Sequence, residues 1–190
     1  RGAADRDFAF PDVAQPTFVA FVQARRIIGA PAAETGVAAI SVPDLRWSRR
    51  DIKSIALLGQ VLAKQTARRA GAAEAFMVED GFVTEGASSS AFIVTKAGEI
   101  VTRPLSTALL PGCTRQAVLA LARERNMQLV ERAFTLEEAY AAVECFFTSA
   151  TAFVMPVVSL DGRAIGQGVP GPCARRLREL YIEAARAGAQ

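Results

Sequence analysis

The sequence predicts an α+β domain: a curled, barrel-like sheet with helices laid against it. Three observations predict it. Short runs rich in Val, Ile, Phe and Thr come in pairs joined by glycine turns, as at Asp80-Gly81 and around Gly98. Longer segments between them carry apolar residues at helical spacing. No repeat, low-complexity stretch or internal linker divides the 190 residues, of which 51% are hydrophobic, enough for one proper core.

Taken in order, Pro16 to Val22 reads as a strand, and Gly36 to Val42 as another closed by Pro43. Arg25 to Glu34 reads as a loop or hairpin connection. Ser54 to Ala70 reads as a helix capped by Ser54 and stopped by Gly71, with Leu58, Val61 and Leu62 as its apolar stripe. Ala75–Glu79 and Phe82–Thr84 form a hairpin, and so do Ala91–Thr95 and Ile100–Arg103. Thr114 to Asn126 is a second helix. Thr135 and Glu138 match a capping box opening a short helix, Leu136 to Ala142. Glu144–Ser149 and Phe153–Leu160 read as strands, the second ending in an Asp161-Gly162 turn. Pro172 opens a final helix with Leu177, Leu180, Tyr181 and Ala184 on one face.

Composition excludes several functions. The net charge is only +3, and the arginines are scattered, which argues against nucleic-acid binding. No apolar run reaches the ~18 residues of a membrane helix. Cys113, Cys145 and Cys173 are far apart and form no CxxC pair, so no metal site is expected and a reducing, cytoplasmic setting fits. The chain has no histidine. That removes Ser-His-Asp and Cys-His catalysis and leaves acid–base work to Lys, Tyr, Asp, Glu or a cofactor.

Among the lysines, Lys64 in a helix and Lys96 in a turn read as solvated charges. Lys53 differs. It stands between Ile52 and Ile55, where an extended segment meets a helix. A lysine held against the core there would lose part of its hydration and keep a free amine for carbonyl addition. On position alone, an ordinary snorkelling lysine is the commoner case. Glu85 taken alone reads as a solvated residue after a turn, Thr114 as an N-cap, and Arg6 as a surface arginine.

Five segments together carry more. Asp51 to Gln65, DIKSIALLGQVLAKQ, resembles the active-site lysine segment of D-amino-acid aminotransferases. Thr84 to Ser90, TEGASSS, resembles that family's TEG-x-SS signature, and Leu109 to Arg115, LLPGCTR, its LxGxTR segment. Arg6 with Phe10-Pro11, and Arg46-Trp47, match upstream pieces in the same order. The resemblance implies a fold-type-IV pyridoxal-5′-phosphate (PLP) enzyme of class IV, this chain being its large C-terminal domain. Residues 25–190 would form the PLP-binding large domain, and residues 1–24 an inter-domain, substrate-side segment with the first strand. The family's small N-terminal domain is expected to be missing from the chain.

The resemblance assigns roles. Lys53 would be the Schiff-base lysine and carry the proton between substrate and cofactor. Glu85 would face the pyridine nitrogen, and Leu109 would pack on the ring. Ser88 and Ser89 would bond near the ring or substrate. Cys113 and Thr114, after Gly112 at a helix start, would take the phosphate, with Thr148-Ser149-Ala150-Thr151, and Ser149 and Ala150 in particular, as a second contact. Ala150 stands where the family usually has a threonine, so a hydroxyl donor is lost there, and Ser149 or Thr151 is left to compensate. Arg6 would clamp the substrate carboxylate. Phe8 stands where some members have a histidine, which bears on substrate choice.

The implied reaction moves an amino group between a D-amino acid, such as D-alanine, and a 2-oxo acid, such as 2-oxoglutarate, in a homodimer. The alternatives are an aminodeoxychorismate lyase, a branched-chain or amine transaminase, or a non-catalytic fragment of the same fold.

Overall fold

A computed structural model describes residues 2–24 and 27–188. Its elements run α1 (Pro31–Thr35), β1 (Val37–Pro43), α2 (Leu58–Arg69), β2 (Glu74–Glu79), β3 (Phe82–Gly86), β4 (Ser90–Val94), β5 (Ile100–Thr102), α3 (Cys113–Glu124), β6 (Leu129–Glu131), α4 (Leu136–Ala141), β7 (Glu144–Ser149), β8 (Phe153–Leu160), β9 (Arg163–Ala164) and α5 (Pro172–Ala187). The strands make one mixed sheet in the order β3-β2-β1-β8-β7-β4-β5-β6, with β9 on β8.

Connectivity forces this sheet to curl. β3 lies at one end of the path, and β4 lies five places further along it, yet only the turn Gly86–Ser89 separates the two in sequence. A turn that short cannot cross a flat sheet, because strands sit ~4.8 Å apart. The sheet therefore bends round until β3 meets the far side, where Val83 N–H donates to the Phe134 carbonyl at 3.0 Å. Alternation then sorts the side chains. Ala39, Phe76, Val83, Ile93, Val101, Phe147, Met155 and Val157 point into the enclosed core, which Phe134 and Ala139 help to fill. Phe92, Phe146 and Val154 point outward and are covered by α3 and α5. Ala75 and Met77 are covered by Ala63 and Ala67 of α2.

Local chemistry sets the ends. Asp80-Gly81 turns with φ 52° and 81°, the left-handed pair of a type I′ hairpin. Thr135 and Glu138 form the expected capping box on α4. The N-terminus of α5 is capped by a buried carboxylate from elsewhere in the chain. Glu144 accepts the N–H groups of Cys173 and Ala174, each at 2.9 Å. Gly171 makes this possible, because a Cβ there would lie 2.0 Å from the Glu144 carboxyl carbon.

Several expectations are corrected. Pro16 to Val22 is not a strand. Apart from a single bridge between Gly2 and Pro16 it is unpaired and exposed, because no sheet edge among the described residues lies beside it. The Arg25–Glu34 connection holds the short helix α1, and Arg25 and Arg26 lie outside the described residues. Helix α2 starts at Leu58, not Ser54, whose hydroxyl instead accepts from Ala56 N–H in a local turn. Its stripe of Leu58, Val61 and Leu62 faces solvent, while Ala63 and Ala67 face the sheet. Ala184 on α5 is exposed, and β6 and β9 had no strand signal in the sequence.

Phe146 stacks on Phe92 with ring centroids 4.8 Å apart and planes within 9°. Phe146→Ala is expected to cost ~3–5 kcal/mol of unfolding free energy in urea titrations. Phe10→Ala, on the exposed arm, is expected to stay within ~0.5 kcal/mol of wild type.

Candidate functional site

The site begins with a buried ion cluster where β1 ends. The Asp44 side chain has no exposed surface. It accepts from Arg46 N–H at 3.1 Å, Nε at 2.9 Å and Nη2 at 2.7 Å, and from the Thr84 hydroxyl at 2.7 Å. The remaining Arg46 nitrogen, Nη1, donates to Glu85 Oε1. Both Glu85 oxygens lie 3.2 Å from the Leu110 N–H. Arg50 closes the cluster outward, donating to Glu79 at 2.8 and 2.5 Å and standing 3.5 Å from Asp44.

Burial acts to raise both carboxyl groups, and the partners decide the outcome. For Asp44, the bonds from Arg46 and Thr84 outweigh burial and hold it below the ordinary carboxylate range. For Glu85, burial dominates, and the single Arg46 nitrogen and the Leu110 N–H offset it only in part, so its pKa is raised. Arg46 loses hydration but gains two carboxylates, and its pKa is raised.

The second part is the start of α3. Gly112 is its N-cap and offers no side chain to the free N–H groups. A Cβ on Gly112 would lie 3.1 Å from the Ser90 hydroxyl. Ser90 is the register partner of Thr148 across β4 and β7, so both side chains stand on the α3 side of the sheet. The hydroxyls of Thr114 and Thr148 are buried, and neither has a hydrogen-bond partner among the described residues. Buried polar atoms are seldom left so, and two of them beside an uncapped helix start suit an anion rich in acceptor oxygens.

The third part is a cavity of about 500 Å³ lined by Lys64, Glu74, Ser88, Phe147, Ser149 and Thr151, among others. The buried Glu74 carboxylate accepts from Ser89 at 2.8 Å, Ser88 at 3.4 Å and Lys64 at 2.9 Å. Lys64 is therefore an ion-pair partner and not the merely solvated charge expected of it.

The sequence-derived residues divide into two groups. Glu85 is buried in β3, not solvated in a turn, and sits next to Leu110 and Arg46. Thr114 and the exposed Cys113 lie at the α3 start. Leu109 is buried, but the contact with Glu85 is made by its neighbour Leu110. Ser88 and Ser89 bond to Glu74. Ser149 and Thr151 line the cavity, while Ala150 is exposed on the turn beyond β7. Lys53 is exposed rather than held against the core, with Ile52 and Ile55 exposed beside it, and it has no hydrogen-bond partner among the described residues. Arg6 and Phe8 lie on the exposed arm, and the structure brings neither to the other site residues. Sequence reading missed Asp44, Arg46 as a partner of Glu85, and Glu74, and it placed Thr148 only within the Thr148–Thr151 phosphate segment. Only Arg46-Trp47 carried a signal, as a motif match. The described residues hold no cluster of three or more metal-ligand side chains, and no helix is long and apolar enough to cross a membrane.

Comparison with known proteins bears on this arrangement. A family model described as amino-transferase class IV matches residues 1–160. A D-alanine aminotransferase of Bacillus licheniformis is 46% identical over 145 residues, which are 76% of this chain and 51% of that protein. One from Staphylococcus aureus (strain N315) is 39% identical over 189 residues, 96% of this chain and 66% of that protein. The chain thus spans between half and two thirds of the length of these relatives. Among solved structures, the branched-chain aminotransferase of the thermophilic archaeon Thermoproteus uzoniensis with norvaline superposes with a TM-score of 0.75 at 32% identity, covering 82% of this chain and 53% of its own. The PLP form of the Thermobaculum terrenum branched-chain amino acid aminotransferase gives 0.72 at 30% identity, covering 80% and 51%.

Asp44→Asn leaves Arg46 buried with one weaker partner and is expected to cost ~3–5 kcal/mol at neutral pH. The sign with pH follows from the lowered Asp44 pKa. Its contribution is complete above the unfolded value of ~3.9 and is lost as pH falls through the folded value. The gap between wild type and Asp44→Asn in urea unfolding should therefore narrow in acid. Glu85, shifted the other way, should give a smaller gap at neutral pH for Glu85→Gln.

Proposed function

Because the chain belongs to the amino-transferase class IV family, we propose that it works as a PLP-dependent aminotransferase between a D-amino acid, such as D-alanine, and a 2-oxo acid, such as 2-oxoglutarate. One observation carries the proposal. The short segment from Leu109 to Thr114 ties a buried carboxylate, Glu85, to an uncapped helix start with two unpartnered hydroxyls. A ligand with a basic ring nitrogen at one end and a phosphate at the other fits that pair of poles.

Bound there, PLP would supply an aldehyde group for the amine and an electron-withdrawing ring for the charge released at the substrate Cα. The protein's part is positioning and proton transfer. Glu85, steadied by Arg46 and the Leu110 N–H, accepts a hydrogen bond from the protonated ring nitrogen. The N–H groups of Cys113 and Thr114 and the Thr114 hydroxyl would hold the phosphate, with the Thr148 hydroxyl and the backbone of Ser149 and Ala150 on its strand side. Thr148 offers a hydroxyl near the position where Ala150 lacks one. Lys53 would move the Cα proton with its amine; it is exposed and without a hydrogen-bond partner among the described residues, which leaves it free to reach the ligand. Ser88 and Ser89, through Glu74, shape the neighbouring cavity. Arg6 on the arm takes the substrate carboxylate, and Phe8 lines its surroundings.

In this reading residues 25–190 form the cofactor-binding domain, and residues 1–24 lead to a small domain in the additional length of the relatives. Leu45, Trp47, Ile55, Leu58 and Val61 are exposed together around the lysine segment, which supports a homodimer burying them. The three unpaired cysteines suit the cytoplasm. Branched-chain enzymes among the solved neighbours favour a second reading, an L-branched-chain transaminase, which sequence identity ranks behind the first.

Borohydride reduction of the PLP-loaded full-length protein should leave the pyridoxyl label on Lys53 when its peptides are mapped. A label on Lys64 or Lys96 would remove Lys53 from this role. In steady-state assays D-alanine should be preferred to L-leucine. Arg6→Ala should lower D-alanine kcat/KM at least roughly tenfold, as charged hydrogen bonds contribute ~1.5–3 kcal/mol.

A further inference from the structure

Cys113 has no assigned chemistry beyond its backbone, and its position gives it one. Of the three thiols it alone is exposed. Cys145 is buried in the core, and burial pushes the thiols of both Cys145 and Cys173 up. Cys113 is the first residue of α3, a helix of 12 residues whose N-cap, Gly112, contributes no side chain. Its own N–H is among the free donors there. The next residue, Thr114, carries one of the two buried, unpartnered hydroxyls, and Thr148 carries the other. An exposed thiol is therefore carried by the first residue of the helix whose next residue holds a buried hydroxyl awaiting an acceptor.

We propose that Cys113 is a thiol-modification site gated by occupancy of an anion seat at that helix start. With the seat empty, the thiol exchanges with a low-molecular-weight disulfide. The Cys113 sulfur attacks one sulfur of the disulfide, a new S–S bond forms, the old one breaks, and the departing thiolate takes up the proton that Cys113 gave up. The adduct then stands over the free N–H groups and keeps an anion out. With a phosphate seated, the approach to the sulfur is closed. A dithiol reductant reverses the adduct. The proposal rests on the reading of the α3 start as the cofactor-phosphate seat, and it makes cofactor loading sensitive to thiol redox state.

The test follows the labelling of full-length protein, freed of PLP, by 5,5′-dithiobis(2-nitrobenzoate). One thiol should react fast, peptide mapping should place it on Cys113, and Cys113→Ser should lack it. Inorganic phosphate at ten times its dissociation constant should slow that thiol about tenfold, by simple occupancy, while chloride at equal ionic strength should not. The labelled protein should fail to bind phosphate or PLP until it is reduced. A fast Cys113 that phosphate does not slow overturns the gate, and so does labelled protein that still binds PLP with unchanged affinity. These results are separate from the cofactor reading. Phosphate protection without any PLP binding supports the gate and sinks the proposed function. PLP binding on Lys53 without phosphate protection does the reverse.

Discussion

The rest of the site depends on one guanidinium shared unequally between two buried carboxylates. The Arg46 guanidinium gives Asp44 two hydrogen bonds, to which the Arg46 backbone N–H adds a third, and gives Glu85 one. Burying three charges is costly, and the cluster persists because nearly every donor in it meets an acceptor. The unequal division has a chemical result. Asp44 is saturated, held low and structural. Glu85 is under-supplied and shifted up, so it can still gain from a further donor. A carboxylate fully satisfied by arginine would have little to offer a ring nitrogen.

The curl of the sheet is the second constraint, and it explains why residues far apart in sequence work together. Because Gly86 to Ser89 must join distant points of a long path, the start of β4 is drawn against β3 and β2. That places Ser89 on Glu74 and Ser90 beside Gly112. The two serines are adjacent and so face opposite sides of the strand. One serves the cavity and the other the start of α3. A serine-rich turn that composition alone would dismiss as linker thus feeds two separate polar sites.

The sequence made the sheet and most helices readable, because alternation and turn chemistry are local. β7 and β8 match their expected limits residue for residue, and the α4 capping box is formed as expected. The failures share a cause. Pro16–Val22 has strand composition, but a strand exists only with a partner, and pairing is not a local property. Ser54 looked like an N-cap, yet its hydroxyl serves a turn four residues before α2 begins. The stripe on α2 was read as core because apolar spacing does not say which apolar surface lies opposite. At the site, motif matching pointed to Glu85 and Thr114. It could not find Asp44 or Glu74, whose importance comes from burial beside distant partners and leaves no linear pattern. Lys53 is exposed, as the commoner reading of its position alone has it, with only the motif to mark it.

Two helices begin on the same outer face of the sheet, and the protein treats their starts in opposite ways. Glu144 reaches from β7 into the start of α5 and occupies two of its N–H groups, in room left by the missing side chain of Gly171. The start of α3 receives no such internal anion. A fixed negative charge thus plugs one of two equivalent positive ends. A diffusing dianion that meets this face is turned away from α5 by repulsion and desolvation and is left a single landing point. Selectivity of place is achieved here by closing the decoy, with no need to strengthen the target.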